Sequence, residues 1–309
     1  MAEGSAGILP VGICLLEPTF SNMRRILIAG CGYLGEATAD LFHSAGWSVE
    51  GWVHSKESSA RLSVKPYSIR VLDVSQRGEV AKRAGVFDAV IHCASSRGGD
   101  AEAYRQIYLN GAHHLLETFP KARILFTSST SVYAQRDGSW VTEESETKPL
   151  RDTGRILSEV EKLVLGKGGI VARLAGIYGP RRSALLSKFL SGTATIDPNS
   201  DRFVNQAHRD DIASALFLLL NREAQESAQI YNVVDDKPIL QSECYGWLAQ
   251  RLNRSLPPIR KSEQPRKRGD TNKRVSNAKL HQFGWTPDYP TFRDAMEKSI
   301  LPSFAHVVP

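Results

Sequence analysis

The chain has 309 residues, 41% of them apolar, and a formal charge of +6, which is enough material for one large core plus a smaller lobe. No run of eighteen apolar residues occurs, which argues against a membrane-spanning helix. Cys14, Cys31, Cys93 and Cys244 show no C-x-x-C spacing, so neither a metal site nor a disulfide framework is indicated, and reduced thiols in a cytoplasmic setting are expected.

Residues 1–22 contain a short apolar centre without a basic flank before it or a small-residue cleavage pattern after it. The segment reads as a flexible extension, not a secretory signal, and Met23 offers an alternative start. From Arg25 onward apolar runs alternate with helical periodicity, the pattern of a parallel sheet covered on both faces. RILIAG (25–30) predicts a first strand and the stretch from Leu34 to Ala45 a helix. SVEGWVH (48–54), IRVLDV (69–74), FDAVIHCAS (87–95), ARILFTSS (122–129) and GIVARLAGIYG (169–179) predict five further strands. AYRQIYLNGAHHLLETF (103–119) predicts the helix between the fourth and fifth. Beyond Pro180 come helices at 183–192, 210–221 and 241–253, a strand at 229–236, a loop at 257–268, and a short helix, turn and final helix at 277–300. The spacing is that of an α/β, doubly wound sheet. Residues 23–180 are expected to form its core, and 181–309 mainly a smaller lobe over the strand ends, where ligands bind in such sheets, with some segments returning to the core.

Gly30-Cys31-Gly32-Tyr33-Leu34-Gly35 is a G-x-G-x-x-G placed between the first strand and its helix. Gly30 suits a tight turn, Gly32 close approach of a pyrophosphate and Gly35 close helix–strand packing, the alternative being a purely structural glycine turn. An acidic residue at the end of the second strand would bond the ribose hydroxyls of NAD, but the sequence there is Val53-His54-Ser55-Lys56. A hydroxyl, an imidazole and an ammonium suit a 2′-phosphate, so NADP is preferred and NAD stays possible, with Glu57 the residue that could reverse the choice. Lys56 also fits a solvated loop charge. Asp73 suits either an adenine amino group or a cap on the next turn.

The charge is concentrated between Arg251 and Arg274, where nine basic residues face two acidic ones. This segment is either a solvated loop or a surface for a phosphorylated small molecule, with Lys273 and Arg274 as the chosen contacts. Nucleic acid is not expected, because no interleaved aromatics accompany the charge.

Taken in order, AGCGYLG, LDV, IHCAS, the helical Asn110, FTSSTSVYA, RLAGIYGP, HRDDIA and YNVVDDKP resemble the short-chain dehydrogenase/reductase superfamily in its extended NAD-dependent epimerase/dehydratase branch. The resemblance runs from Arg25 to about Met296. It implies a Rossmann-type sheet and cofactor contacts from Val74, Cys93, Ala94, Ser95 and Asn110 beside the glycine loop. It also implies that Ser129, with Thr130 and Ser131 beside it, polarises the substrate oxygen, strand-end hydrogen bonding being the other reading. Carried from Tyr133 through Glu143 and Pro149, the alignment brings the family's proton-transferring Tyr to Thr153 and its Lys to Leu157, while Glu161 keeps the acidic position that follows. A phenol titrates near about 10 and can be brought into a working range, whereas Thr lacks that acidity and Leu offers neither charge nor donor. Gly154-Arg155 resembles the Gly-Arg pair of atypical members.

The remaining candidates are Tyr133 as a substitute acid and Tyr178 as a wall of the substrate pocket or a packing residue. Arg155, Arg173 and Arg181 are candidate anion contacts, and His208 is either a substrate contact or the partner of a local hydrogen bond. The expected function is that of an atypical NAD(P)-binding oxidoreductase or epimerase/dehydratase-like enzyme acting on a small anionic substrate, with nucleotide-linked sugars in view. The alternative is a non-catalytic NADP(H)-binding sensor. No membrane or metal is expected, and a homodimer is common in the resembled family.

Overall fold

Arg25–Ala29 is apolar and buried at its last four positions, and a run without polar alternation forms a strand covered on both faces. In the computed structural model, which describes residues 23–222, 228–260 and 271–304, this run is strand β1. It is followed by α1 (Tyr33–Ser44), β2 (Ser48–Val53), α2 (Lys56–Leu62), β3 (Ser68–Val71), α3 (Arg77–Ala81) and β4 (Ala89–His92). Next come α4 (Ala101–Tyr104), a π-helical stretch (Arg105–Asn110), α5 (Gly111–Thr118), β5 (Arg123–Ser129), β6 (Trp140–Val141), α6 (Asp152–Leu165) and β7 (Ile170–Leu174). The remainder contains β8 (Gly176–Tyr178), α7 (Ala184–Leu190), β9 (Phe203–Val204), β10 (Gln206–His208), α8 (Arg209–Asn221), β11 (Ile230–Val233) and β12 (Ile239–Leu240). It closes with α9 (Gln241–Arg251), β13 (Arg274–Val275), α10 (Ala278–Gln282), α11 (Phe292–Ala295) and α12 (Leu301–Ser303).

Seven strands form one sheet in the order β3-β2-β1-β4-β5-β7-β11, and every pairing is parallel. The order reverses between β1 and β4, which opens a crevice at their carboxyl ends. On one face, Phe42 of α1 and Ile212, Leu216 and Leu219 of α8 join Ile26, Ile28 and Ile91 in a core cluster. On the other, Leu115 of α5 and Ile156, Leu157 and Val160 of α6 join Leu27, Val90 and Phe126. Each large apolar side chain fully buried in these layers contributes roughly 1.5–3 kcal/mol before the entropy of ordering is set against it. A third cluster, with Tyr178, Phe189, Tyr245, Leu248, Phe292 and Met296, forms the core of the C-terminal lobe. Beyond residue 180, β11 joins the sheet, and α8 and α10 pack in its covering layer.

The expected strand at 169–179 divides. β7 stays in the sheet, but Ala175 donates its N–H to Val233 and Gly176 to Asn205, and β8 pairs instead with β10. The helix expected at 103–119 starts earlier, at Ala101, because Asp100 caps it through the Ala103 N–H at 3.0 Å. Its middle widens into the π stretch, and at Gly111 an added Cβ would press on Val74 at 3.2 Å and His92 at 3.3 Å. The expected extension at 1–22, and residues 261–268 of the expected loop, lie outside the described residues. Among the described residues no helix is long and apolar enough to cross a membrane.

Candidate functional site

The turn between β1 and α1 sits at the reversal of strand order. Gly30 has φ +104°, and a Cβ added there would lie 2.2 Å from the Ala94 nitrogen, so the chain leaving β4 runs directly against the turn. A Cβ on Gly35 would lie 2.3 Å from the Gly30 carbonyl oxygen, which shows how closely helix and strand approach. Gly32 differs, since an added Cβ would meet nothing nearer than that same oxygen at 4.0 Å. Gly32 is also the N-cap of α1, and no side chain caps the first-turn N–H groups. Open space in front of uncapped donors at the positive end of a twelve-residue helix is an anion cradle, and a diphosphate fits it.

The other residues of the loop point elsewhere. Cys31 and Leu34 are buried in the core, and burial pushes the Cys31 thiol up to about 12, so it is inert. Tyr33 donates its hydroxyl to the Pro180 carbonyl at 3.0 Å, and the guanidinium groups of Arg182 and Arg209 each lie 5.0 Å from its ring.

At the end of β2, His54 is exposed and its Nδ1 lies 3.9 Å from Asp73 Oδ2. Ser55 caps α2, its Oγ accepting the Ser58 N–H at 3.2 Å, and Lys56 opens the helix on the surface. Asp73 accepts the Ser75 N–H at 2.9 Å, so it does cap its turn, with one oxygen left toward His54. Val74 is buried. Cys93 donates its thiol to the Gly30 oxygen at 3.3 Å, and Ser95 accepts the Arg97 N–H at 3.2 Å. Asn110 donates to Gln106 Oε1 at 3.0 Å. The glycine turn, the β2 and β3 ends and Cys93–Ser95 thus share the carboxyl edge of the sheet.

Ser129 ends β5 on that same edge and is half-buried. Its Oγ accepts the Ser131 N–H at 3.2 Å, which leaves its own proton to donate to an incoming oxygen. Thr130, beside it, is buried at the start of a 3-10 turn. Ser128 faces the opposite side and donates to Glu161. α6 begins against this segment: a Cβ on Gly154 would stand 3.7 Å from the Ser131 carbonyl oxygen and 2.6 Å from Pro149 Cβ. Thr153 is half-buried in that first turn, and Leu157, one turn on, is buried in the core.

Several residues expected at the substrate are engaged elsewhere. Tyr133 is fully buried, donates to Asn232 Oδ1 at 2.8 Å and accepts from Arg173 Nη1 at 2.8 Å, and burial holds its phenol above the usual range. It therefore cannot serve as a substitute acid facing the crevice. Arg173 forks onto Glu161, both oxygens within 2.7–3.2 Å, and so presents nothing to an anion. His208 is fully buried. Its Nδ1 accepts the Asp210 N–H, which places the proton on Nε2, 2.9 Å from Ser299 Oγ, and burial lowers its pKa to about 4. That is the local hydrogen bond, not the substrate contact.

Tyr178 is a packing residue of the C-terminal lobe, its phenol pushed up by burial. Lys273 is buried and donates to the Tyr133 carbonyl at 3.2 Å and to Thr271 Oγ1 at 2.8 Å. Arg274 donates to the Gly138 carbonyl at 2.8 Å and lies over the rings of Trp140 and Phe203, pinning β13 to β6. Arg155 is exposed and pairs with Asp152 at 2.6 Å. Arg181 has φ +59° and donates its backbone N–H to Ser303 Oγ, with its side chain at the surface. Of the basic segment, Lys261, Arg266, Lys267 and Arg268 lie outside the described residues. Among the described residues no group of three or more His, Cys, Asp or Glu is placed to hold a metal.

Sequence reasoning missed the contact of Tyr33 with Pro180, Arg182 and Arg209. Nothing local signals it, since Tyr33 and Pro180 stand 147 residues apart.

Residues 26–233 match the profile of the NAD dependent epimerase/dehydratase family. Protein YeeZ of Escherichia coli strain K12 is 29% identical over 251 residues, covering 78% of this chain and 88% of that protein. A structure of a protein from Methylobacillus flagellatus, described as a "putative NAD-dependent epimerase/dehydratase", superposes with a TM-score of 0.73 at 25% identity, covering 90% of this chain and 97% of the other. UDP-glucuronic acid 4-epimerase from Bacillus cereus, solved with NAD, has a TM-score of 0.78 at 16% identity, covering 92% and 100%.

Proposed function

The chain belongs to the NAD-dependent epimerase/dehydratase family, and on that premise we propose that it binds NADP(H) and acts on a small anionic substrate in the crevice at the strand ends. The observation that carries this reading is the open face of Gly32 before the uncapped first turn of α1. In this reading the Gly30–Gly35 turn holds the diphosphate. Ser55, Lys56 and His54 receive the 2′-phosphate, Asp73 and Val74 flank the adenine, and Cys93, Ala94, Ser95 and Asn110 line the path to the nicotinamide. The bound dinucleotide supplies hydride exchange.

The chain's own part is then to position and polarise. Ser129 donates its free proton to the substrate oxygen, with Thr130 shaping the wall beside it, and Arg181 offers an exposed guanidinium to an anionic group. Nowhere in the sequence does a Tyr stand four residues before a Lys. With Tyr133 enclosed and Leu157 in the core, the Ser129 hydroxyl polarises by hydrogen bonding and proton exchange falls to water. Nucleotide-linked sugars are the substrate class to test first, because the Bacillus cereus neighbour acts on one.

A second reading, a non-catalytic NADP(H) sensor of the cytoplasm, is favoured by one observation: the position expected to carry the ammonium is a buried Leu157.

Calorimetry with NADPH and NADH, on the wild type and Lys56→Ala, tests the cofactor. The variant should lose NADPH affinity preferentially; equal losses refute the 2′-phosphate contact, and no uptake of either dinucleotide refutes the whole reading. Cofactor fluorescence across a panel of nucleotide sugars tests turnover. Oxidation or reduction lost in Ser129→Ala supports the enzyme, and binding without redox change supports the sensor.

A further inference from the structure

The opposite edge of the sheet, where β1, β4 and β5 begin, carries an open concavity of about 310 Å³ lined by Arg24, Trp47, Asp88, Arg123, Leu220 and Arg222. It lies a full strand length from the glycine turn. Three arginines line it, and all the hydrogen bonds of their guanidinium groups go to neutral acceptors. Arg24 donates to the Asn221 carbonyl and to Asn221 Oδ1. Arg123 donates to the carbonyls of Leu219, Leu220 and Arg222 at 3.2, 2.9 and 2.8 Å, and Arg222 donates to the Phe283 carbonyl at 2.6 Å. None of the three has an ion pair among the described residues.

The one carboxylate of the lining, Asp88, accepts the Arg25 N–H at 2.7 Å. Three positive groups against one negative leave the concavity electropositive. Burial and the neighbouring charge of Arg24 both disfavour the charged form of Arg123. Trp47 lies beneath this group with Arg24 4.1 Å from its ring, and its buried indole N–H has no acceptor.

Closing the last carbonyls of α8 explains Arg123 and part of Arg24. It does not explain why three arginines line one concavity with a single carboxylate among them and with no ion pair among the described residues. We propose that this concavity is a second ligand site, which takes a small polyanion through charge-assisted hydrogen bonds from Arg24, Arg123 and Arg222, with Trp47 beneath Arg24 as the reporter of binding. Forked, charge-assisted recognition suits phosphate and carboxylate oxygens alike. The shared chemistry is a compact molecule with two or more anionic oxygens. The site is independent of the nicotinamide crevice.

The test uses the full chain labelled at its tryptophan indoles, the Trp47 resonance being assigned with Trp47→Phe. Inorganic pyrophosphate and citrate are titrated separately, with potassium chloride at matched ionic strength as control. Movement of the Trp47 resonance with pyrophosphate points to a phosphate-bearing ligand, and movement with citrate to a polycarboxylate; either supports the site. Arg222→Gln should weaken the response about tenfold, the loss of one charge-assisted bond. Arg24→Lys, which keeps the charge but not the fork, should weaken it less.

Gly32→Val, which blocks the glycine turn, should leave the response unchanged, so that anion binding at that turn is told apart. Circular dichroism and melting check that each variant folds. A Trp47 resonance unmoved by millimolar pyrophosphate and citrate overturns the proposal, as does a response that survives in Arg222→Gln or disappears in Gly32→Val.

Discussion

Arg173 on β7 and Glu161 on α6 form a forked ion pair, each side chain only 4% exposed, with Nη2 2.7 Å from Oε2. Ser128 and Tyr133 attach to the same pair, and Tyr133 extends it to Asn232 on β11. Four elements of the sheet layer are therefore tied by one polar chain beneath the Ser129 edge. A network so enclosed stabilises only while every member keeps its partner.

Glu161→Gln leaves the Arg173 cation buried without its counter-charge. It should cost about 3–5 kcal/mol, read as a lower midpoint in urea unfolding at pH 7. The double variant Glu161→Leu with Arg173→Met should recover part of that loss, Ser128 being left without its acceptor. A single variant as stable as the wild type would mean that the pair is solvated in solution.

The glycines separate binding from folding. Gly32→Ala meets open space and should leave the melting temperature almost unchanged while weakening dinucleotide binding at least tenfold in calorimetry. Gly35→Ala drives a methyl into the Gly30 carbonyl and should lower the melting temperature markedly. Similar melting losses in both would contradict the open cradle at Gly32.

Acid should find His208. Its folded pKa is lowered to about 4 by burial, against about 6.5 for a free imidazole. Between those values the unfolded chain holds the extra proton, so this group's stabilisation is fully present above about 6.5 and is lost as pH falls toward 4, about 3 kcal/mol in all. His92, also lowered to about 4, acts in the same sense. Asp211, raised to about 6 by burial, opposes them, since the folded state holds its proton between about 3.8 and 6. Relative to wild type, His208→Asn should melt lower at pH 7, and the gap should narrow by pH 4.5. A gap that stays constant with pH would refute this assignment.

Restoring the family's pair should not restore its chemistry cheaply. Leu157→Lys buries an ammonium among Ile156, Val160 and their apolar neighbours, and should destabilise the chain by several kcal/mol in thermal or urea unfolding. Combined with Thr153→Tyr, it should still unfold earlier than the wild type. Full stability in the double variant would show that the crevice reaches position 157.

Most of the seven strands were readable as short, largely apolar runs bounded by polar turns, β3 (SIRV) being a mostly exposed edge strand, and the glycine turn because its spacing is local. The two-residue pairs β9–β12 and β13–β6 carry no period of their own and arise only when distant segments meet. The substrate residues were the harder part. Arg173 and His208 have the right chemistry for an anion or a proton, yet Glu161 and Ser299 had already claimed them, the latter from 91 residues away. Side-chain type announces what a group can do, while its partner decides whether it is at liberty to do so. Ser129 kept a free proton for a local reason, the Ser131 N–H two residues on.

Tyr33 stands in the first turn of α1, yet its hydroxyl is held by Pro180 and its ring is flanked by Arg182 and Arg209. Any swing of the segment around Pro180 must therefore either drag the glycine turn along or let go of that ring. One tyrosine is thus the pin that joins the start of α1 to a stretch of chain 147 residues away.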